Sequence, residues 1–322
     1  MVKAPANKQP LSNKLIFKRL QFLNFLAPIL LAFVVSGIFC IIDGSNPFEV
    51  YRRIFATAFL TKTGWMNTLG YATPLIMTGI ATSFSIRAGV FNMGIEGQVY
   101  FGSFFAAIVG YALPLPRYLH IPMCLLCGAI GGMLWSTIPA LLKSKFQINE
   151  IVTTIMLNNV ALTITKVLTM GPFNANYIYS STQTLLPSAQ LSRFDPKYKV
   201  TTALFIAIAL LLIVWYILKR TKFGYEIQFL GRQQEFSDAV GMRVSRKIML
   251  VFVLGGAIAG IAGATEIMGV YKSFMPEWGG AMGVGWDGFS VCVLANGSPL
   301  GVLIVSLLYG GFRYGCISLA RI

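Results

Sequence analysis

The chain has 322 residues, 56% hydrophobic and 11% charged, with a formal net charge of +15. Soluble domains carry about 25% charged residues, so this composition excludes a soluble fold. Apolar runs of about 18 residues without short alternation exclude a β-barrel as well.

Lys3, Lys8, Lys14, Lys18 and Arg19 come before the first apolar run, with no acidic residue before Asp43. Further basic residues are Lys143, Lys145 and a group from Lys219 to Lys247. That is the positive-inside pattern of a membrane protein rather than a nucleic-acid interface, and it places the N-terminus in the cytoplasm. Residues 1–24 are expected as a basic cytoplasmic segment and 25–322 as one transmembrane domain.

The first expected span, Phe25–Ile42, reads as uncleaved, because no small-residue cleavage site follows it. Asp43–Gly64 is then an outside connection, and Trp65–Ser85 the second span. The passage that follows, "SIRAGVFNMGIEGQVYFGSF", sets Arg87, Asn92, Glu96 and Gln98 between apolar runs. An intramembrane carboxylate is costly and points to function. Arg87 is either the partner of Glu96 or a residue of the cytoplasmic interface.

Spans are expected at Gly94–Leu113, Ile121–Leu142 and Ile151–Met170. The second holds "CLLC" (Cys124–Cys127), which has redox spacing but lies inside an apolar run, where cysteines act as small apolar residues. His120, the single histidine, cannot build a metal site alone. In the third, Glu150 and Asn158 share a helix face. Asn158 and Asn159 serve either as interhelical glue or as path-lining groups. Small-residue faces at Gly128/Gly132 and Gly255–Ala264 predict close helix packing.

After an outside segment, Gly171–Val200, come spans at Thr201–Leu218 and Ile248–Met268. The cytoplasmic loop between them, Lys219–Lys247, is punctuated by Gly231 and Gly241 and sets seven basic residues against Glu226, Glu235 and Asp238. It is either a docking surface or a plain connection. Near the C-terminus, Gly283–Ala295 is too short to span, and "NGSP" separates it from Pro299–Phe312. This predicts a half-helix whose N–H groups face substrate hydroxyls or a neighbouring carboxyl, or are capped by Asp287. The expected fold is all-α, a polytopic membrane bundle of about 8–10 spans with a broken or re-entrant half-helix pair near the C-terminus.

The strings "AGVFNMGIEGQVYFGSF", "INEIVTTIMLNNVA", "GGAIAGIAGATEIMGVY" and "GVGWDGFSVCVLANGSPLG", in this order, resemble permease subunits of bacterial ABC importers. The resemblance is to the nucleoside and simple-sugar branch, in a family that also includes ribose and branched-chain amino acid permeases. It implies a translocation path for a nucleoside or simple sugar, with Asn92, Glu96, Gln98, Asn158, Asn159 and Asp287 as path candidates. It also implies ABC ATPase subunits, a second permease subunit and an extracytoplasmic substrate-binding lipoprotein as partners, with no cofactor and no enzymatic activity in this chain. The family's coupling loop maps onto Phe223–Val244, where only Gly231, Ala239 and Gly241 keep its pattern, so a specialised ATPase is expected. The family's sequences continue past the position of Ile322 through a further span, so a short or truncated product is expected. An ion-coupled transporter using Glu96 or Glu150 is the alternative. An intramembrane enzyme built on Asp287 and Glu266 lacks the Ser/His or metal constellation it would need.

Overall fold

The computed structural model describes residues 30–175, 180–233, 237, 241–276 and 283–320. Among them are eleven α-helices: α1 (Leu30–Ile42), α2 (Pro47–Phe59), α3 (Lys62–Arg87), α4 (Ile95–Ala112), α5 (Arg117–Phe146) and α6 (Glu150–Met170), followed by α7 (Ala203–Arg220), α8 (Lys222–Arg232), α9 (Val244–Glu266), α10 (Val284–Leu294) and α11 (Pro299–Leu319). The fold class is the all-helical bundle expected. The residues before Leu30 and Ala239 lie outside the described set.

Six of these helices (α3, α5, α6, α7, α11 and α9 with its continuation to Tyr271) are long and apolar enough to cross a membrane. Counting α1 and α2 as one bent span gives seven, below the eight to ten expected. α4 has 18 residues but carries Glu96 and Gln98 in its first turn, and it falls outside the six.

Helix boundaries follow local chemistry. The Thr61 side chain accepts the Gly64 N–H at the start of α3, and Asn149 accepts those of Ile151 and Val152 at the start of α6. These are ordinary N-caps. Asn296 and Gly297 adopt left-handed backbone (φ 50° and 64°), which ends α10. Ser298 then caps α11, with Pro299 in its first turn. That restart corrects the expected C-terminal pair: α10 is a half-helix, but α11 is a complete 21-residue span running past Phe312. The sharply bent pair lies near the N-terminus, where α1 and α2 meet at 115°.

Contacts divide the chain into two compact units, Met1–Ala56 and Thr57–Ile322. In the first, the Tyr51 hydroxyl donates to Phe33 O and lies 2.6 Å from Ser36 Oγ, tying α2 back to α1. The segment read as an outside connection therefore contains a helix. Its apolar residues follow a helical period with arginines between them, a pattern that a search for long apolar runs passes over.

In the second unit, α9 packs on α5, α4 and α3. The small-residue faces pair as expected: Gly260 meets Gly102 and Gly128 backbone to backbone, and Gly132 meets Gly256 and Gly260. A Cβ at Gly260 would strike the Gly128 carbonyl oxygen, and backbone cannot yield as a flexible side chain can. Gly260→Val is therefore expected to cost about 3 kcal/mol or more, at the upper end of overpacking penalties. Thermal unfolding in detergent checks this; an unchanged midpoint would contradict the contact.

α6 separates its faces cleanly. Glu150, Thr154, Asn158, Thr165 and Thr169 are buried, whereas Val152, Met156, Val160, Ile164 and Val167 are exposed. The polar stripe faces protein and the apolar one faces outward.

Candidate functional site

The opening polar passage surrounds the start of α4. Residues 88–94 are not helical, so their backbone groups and the free N–H groups of the α4 terminus need partners inside the bundle. Asn92 Oδ1 accepts the Gly94 N–H at 3.0 Å and Gln98 Nε2 at 3.2 Å. Asn158, reaching from α6, accepts the Gly97 N–H at 2.9 Å and donates to Met93 O at 2.8 Å. Asn92, Gln98 and Asn158 are all buried. Their hydrogen-bonding capacity is thus turned largely on the fold. Asn159 points to the exposed side of α6, away from this group.

Glu96 is buried and reaches a different target. Its Oε2 accepts the Gly285 N–H at 2.6 Å and the Trp286 N–H at 3.3 Å, at the start of α10. The N-termini of α4 and α10 therefore meet, with one carboxylate between two positive dipole ends. Only glycine fits at 285, because a Cβ there would lie 2.5 Å from Glu96 Cα. Thr78 completes the seat by donating to Val284 O at 3.1 Å.

Of the readings open for the N–H groups of the half-helix, the neighbouring carboxyl is the one found. Asp287 does not cap them: it accepts the Tyr309 hydroxyl at 2.7 Å and Arg313 Nη1 at 2.6 Å, both from α11. Arg87 does not pair with Glu96. Its Nε donates to Gly297 O at 3.0 Å, just beyond the other end of α10. One ten-residue segment, Arg87–Glu96, thus supplies a carboxylate to the N-terminus of α10 and a guanidinium to its C-terminus, each matching the local dipole.

The basic loop touches the start of that segment, at Arg87–Gly89. α8 begins at the Thr221 cap and is fixed by Gln228 Nε2 donating to Leu218 O at 2.7 Å and by an ion pair between Glu226 and Lys247. Gly231, expected as punctuation, is helical and lies against Arg87 O and Gly89. Gly89 itself needs positive φ (71°). A cleft of about 180 Å³ opens beside this contact, lined by Ile86, Arg87, Gln228, Gly231, Arg232 and Asn296. Glu150 is paired with Lys143 at 2.7 Å.

A second polar group lies toward the opposite ends of α3, α9 and α11. Glu266, the last residue of α9, is buried, and its Oε2 has no hydrogen-bond partner among the described residues. The nearby cations are Lys199 and Arg313. Lys199 Nζ sits 4.1 Å from the centroid of the Tyr71 ring. Burial pushes the Lys199 ammonium below the ordinary lysine range, and the Glu266 charge opposes that shift. Directly after Glu266 the helix widens into a π-turn, Ile267–Tyr271, closed by Lys272 N donating to Ile267 O at 2.7 Å. Such turns gather at functional sites.

A sequence profile described as "branched-chain amino acid transport system / permease component" matches residues 64–320. The chain belongs to this family. The permease is 32% identical to the guanosine ABC transporter permease protein NupP of Bacillus subtilis, over 91% of this chain and 85% of that one. It is 29% identical to the glucose ABC transporter permease protein TsgB13 of Haloferax volcanii (87% and 76% covered) and to the nucleoside ABC transporter permease protein NupB of Lactococcus lactis (90% and 82%). No solved structure matches significantly. The chain is thus a multi-pass membrane protein and a transport subunit of an ABC system.

Sequence reasoning missed Lys199, Tyr309 and Arg313 as members of the polar groups in this permease. Arg313 left a usable signal, being a lone guanidinium well inside an apolar run.

Proposed function

We propose that this permease forms the path for a nucleoside in an ABC importer of the bacterial inner membrane, with its N-terminus in the cytoplasm. The observation that carries the substrate reading is the similarity to the guanosine permease protein along nine-tenths of the chain. A simple sugar is the second reading, favoured by the similarity to the glucose permease protein. The alternative of ion coupling loses support from the geometry, because Glu96 holds α10 and Glu150 holds Lys143.

In this reading the half-helix is the working element. At about 1.5 Å per residue, its 11 residues cover some 16 Å, about half of the hydrocarbon thickness. Its N-terminal turn therefore ends near mid-membrane, where irregular backbone is tolerated only beside protein or water. Glu96, Asn92, Gln98 and Asn158 position that turn, and Asp287 with Tyr309 and Arg313 orients its outer side. The α8 loop with Gly231, Ala239 and Gly241 docks an ATPase subunit and moves the Arg87–Glu96 segment. Two ATPase subunits, a second permease and an external substrate-binding lipoprotein complete the assembly. In B. subtilis and in L. lactis two differently named permease proteins are similar to this chain, which favours a paralogous heterodimer over a homodimer.

The test is guanosine uptake by the complete complex in proteoliposomes. Uptake is expected to require ATP and to survive a protonophore; ATP-independent uptake abolished by the protonophore would establish ion coupling instead. Gly241 has φ +81°, which a β-branched residue adopts only with strain. Gly241→Val is expected to lower substrate-stimulated ATP hydrolysis at least about fivefold while the chain remains monodisperse, as about 1–3 kcal/mol of local strain implies. Unchanged hydrolysis would remove Gly241 from the coupling loop.

A further inference from the structure

We propose that Glu266 and Lys199 form a hydroxyl-binding subsite in the outward half of the path, taking the vicinal hydroxyls of a ribose or hexose. Three observations converge on it. Glu266 Oε2 is a buried acceptor without a donor among the described residues, whereas the carboxylates of Glu96 and Asp287 have theirs. A buried carboxylate left in that state is costly and calls for a ligand. Lys199 and Arg313 are the cations near Glu266, and Lys199 forms no direct ion pair with it among the described residues. Arg313 is engaged by Asp287 at 2.6 Å. Lys199 is held in place by its backbone N–H donating to Asn67 Oδ1 at 3.0 Å and by the Tyr71 ring, and its charge acts on Glu266.

A separated carboxylate and ammonium suit a hydroxyl better than they suit an ion. A hydroxyl donates once and accepts twice, so it bridges the two without adding charge. Adjacent hydroxyls on one ring satisfy both groups together. A lone cation would leave Lys199 repelled, and a lone anion would leave Glu266 repelled. The position also fits an entry site. Glu266 lies 22 residues along α9 from Val244, about 33 Å of helix rise from the basic end. Lys199 belongs to the segment joining α6 to α7 at that far end. The π-turn after Glu266 and the left-handed Lys272 (φ 63°) set the carboxylate at the last turn of the span.

This inference rests on the reading of the chain as a path for a nucleoside or simple sugar, and its test separates the two. Initial uptake rates of guanosine, 2′-deoxyguanosine, 2′,3′-dideoxyguanosine and glucose are measured with the complete transporter carrying wild-type chain, Glu266→Gln or Lys199→Met. The external binding protein is the same throughout, so only differences between variants count. Both substitutions are expected to reduce guanosine uptake at least about tenfold and dideoxyguanosine uptake less than about threefold, as for a site built to bond hydroxyls. If glucose is the solute that moves, its deoxy analogues replace the nucleosides and the same contrast is expected. An equal fall for every analogue makes Glu266 structural and overturns the subsite, as does an unchanged rate. If Glu266→Gln fails to assemble, Lys199→Met decides alone. A wild-type transporter that moves none of these solutes overturns the substrate reading, and the subsite with it.

Discussion

Glu96→Ala is expected to abolish guanosine uptake, whereas Glu96→Gln retains a measurable fraction and keeps the wild-type pH dependence. The alanine variant leaves the Gly285 N–H, and in part the Trp286 N–H, without an acceptor inside the bundle. An orphaned buried donor costs about 1–3 kcal/mol, and here the penalty falls on the first turn of an 11-residue helix. Glutamine offers an oxygen at nearly the same point and loses only the charge. Uptake by proteoliposomes at several pH values checks both variants. Glu96→Gln as inactive as alanine, with proton-coupled currents in the wild type, would assign Glu96 a proton-carrying role.

The second large effect is expected at Gly231. A Cβ there would lie 2.9 Å from Gly89 N and 3.0 Å from Ala88 C, and would also strike the Arg87 carbonyl. All three are backbone atoms, so α8 must move away from the Arg87–Gly89 turn. Gly231→Val is therefore expected to leave ATPase subunits copurifying while guanosine uptake falls at least about tenfold, as a lost coupling of 1.4 kcal/mol or more would give. Arg87→Met, which removes the bond to Gly297 O, should weaken the same link from its other end. If Gly231→Val transports normally, the contact between α8 and the segment carries no signal.

Much of this fold was legible because membrane spans announce themselves as apolar runs, and α3 to α7 begin and end within a few residues of their expected bounds. The break before α11 was legible too, since "NGSP" stands where the helix stops and restarts. The amphipathic α2 was not, because its length and mixed polarity resemble an ordinary connection. The site was legible in its members and not in its pairings. Glu96 stood out as a carboxylate in an apolar setting, but its partner Gly285 lies 189 residues away, and nothing local distinguishes a backbone N–H from a guanidinium as its target. Arg87 was nearby in sequence and turned instead to Gly297, 210 residues on. Asn158 and Asn159 are adjacent in the chain, yet the helical period buries the first and exposes the second. Glu266 was weighed only as half of an acid/base pair with Asp287, because its significance comes from the lack of a partner among the described residues in three dimensions.

The claim that α10 presents its first turn to the path is tested most directly by thiol accessibility. Single cysteines at positions 284, 286 and 287 are introduced in a chain lacking its five native cysteines, and a membrane-impermeant thiol reagent is applied to the complete transporter with and without ATP and guanosine. Position 286, about two-fifths exposed in this structure, is expected to react, with a rate that changes with nucleotide state and falls when guanosine is present. If all three positions stay unreactive in every state and guanosine protects none of them, α10 is a buried structural element and the path runs elsewhere.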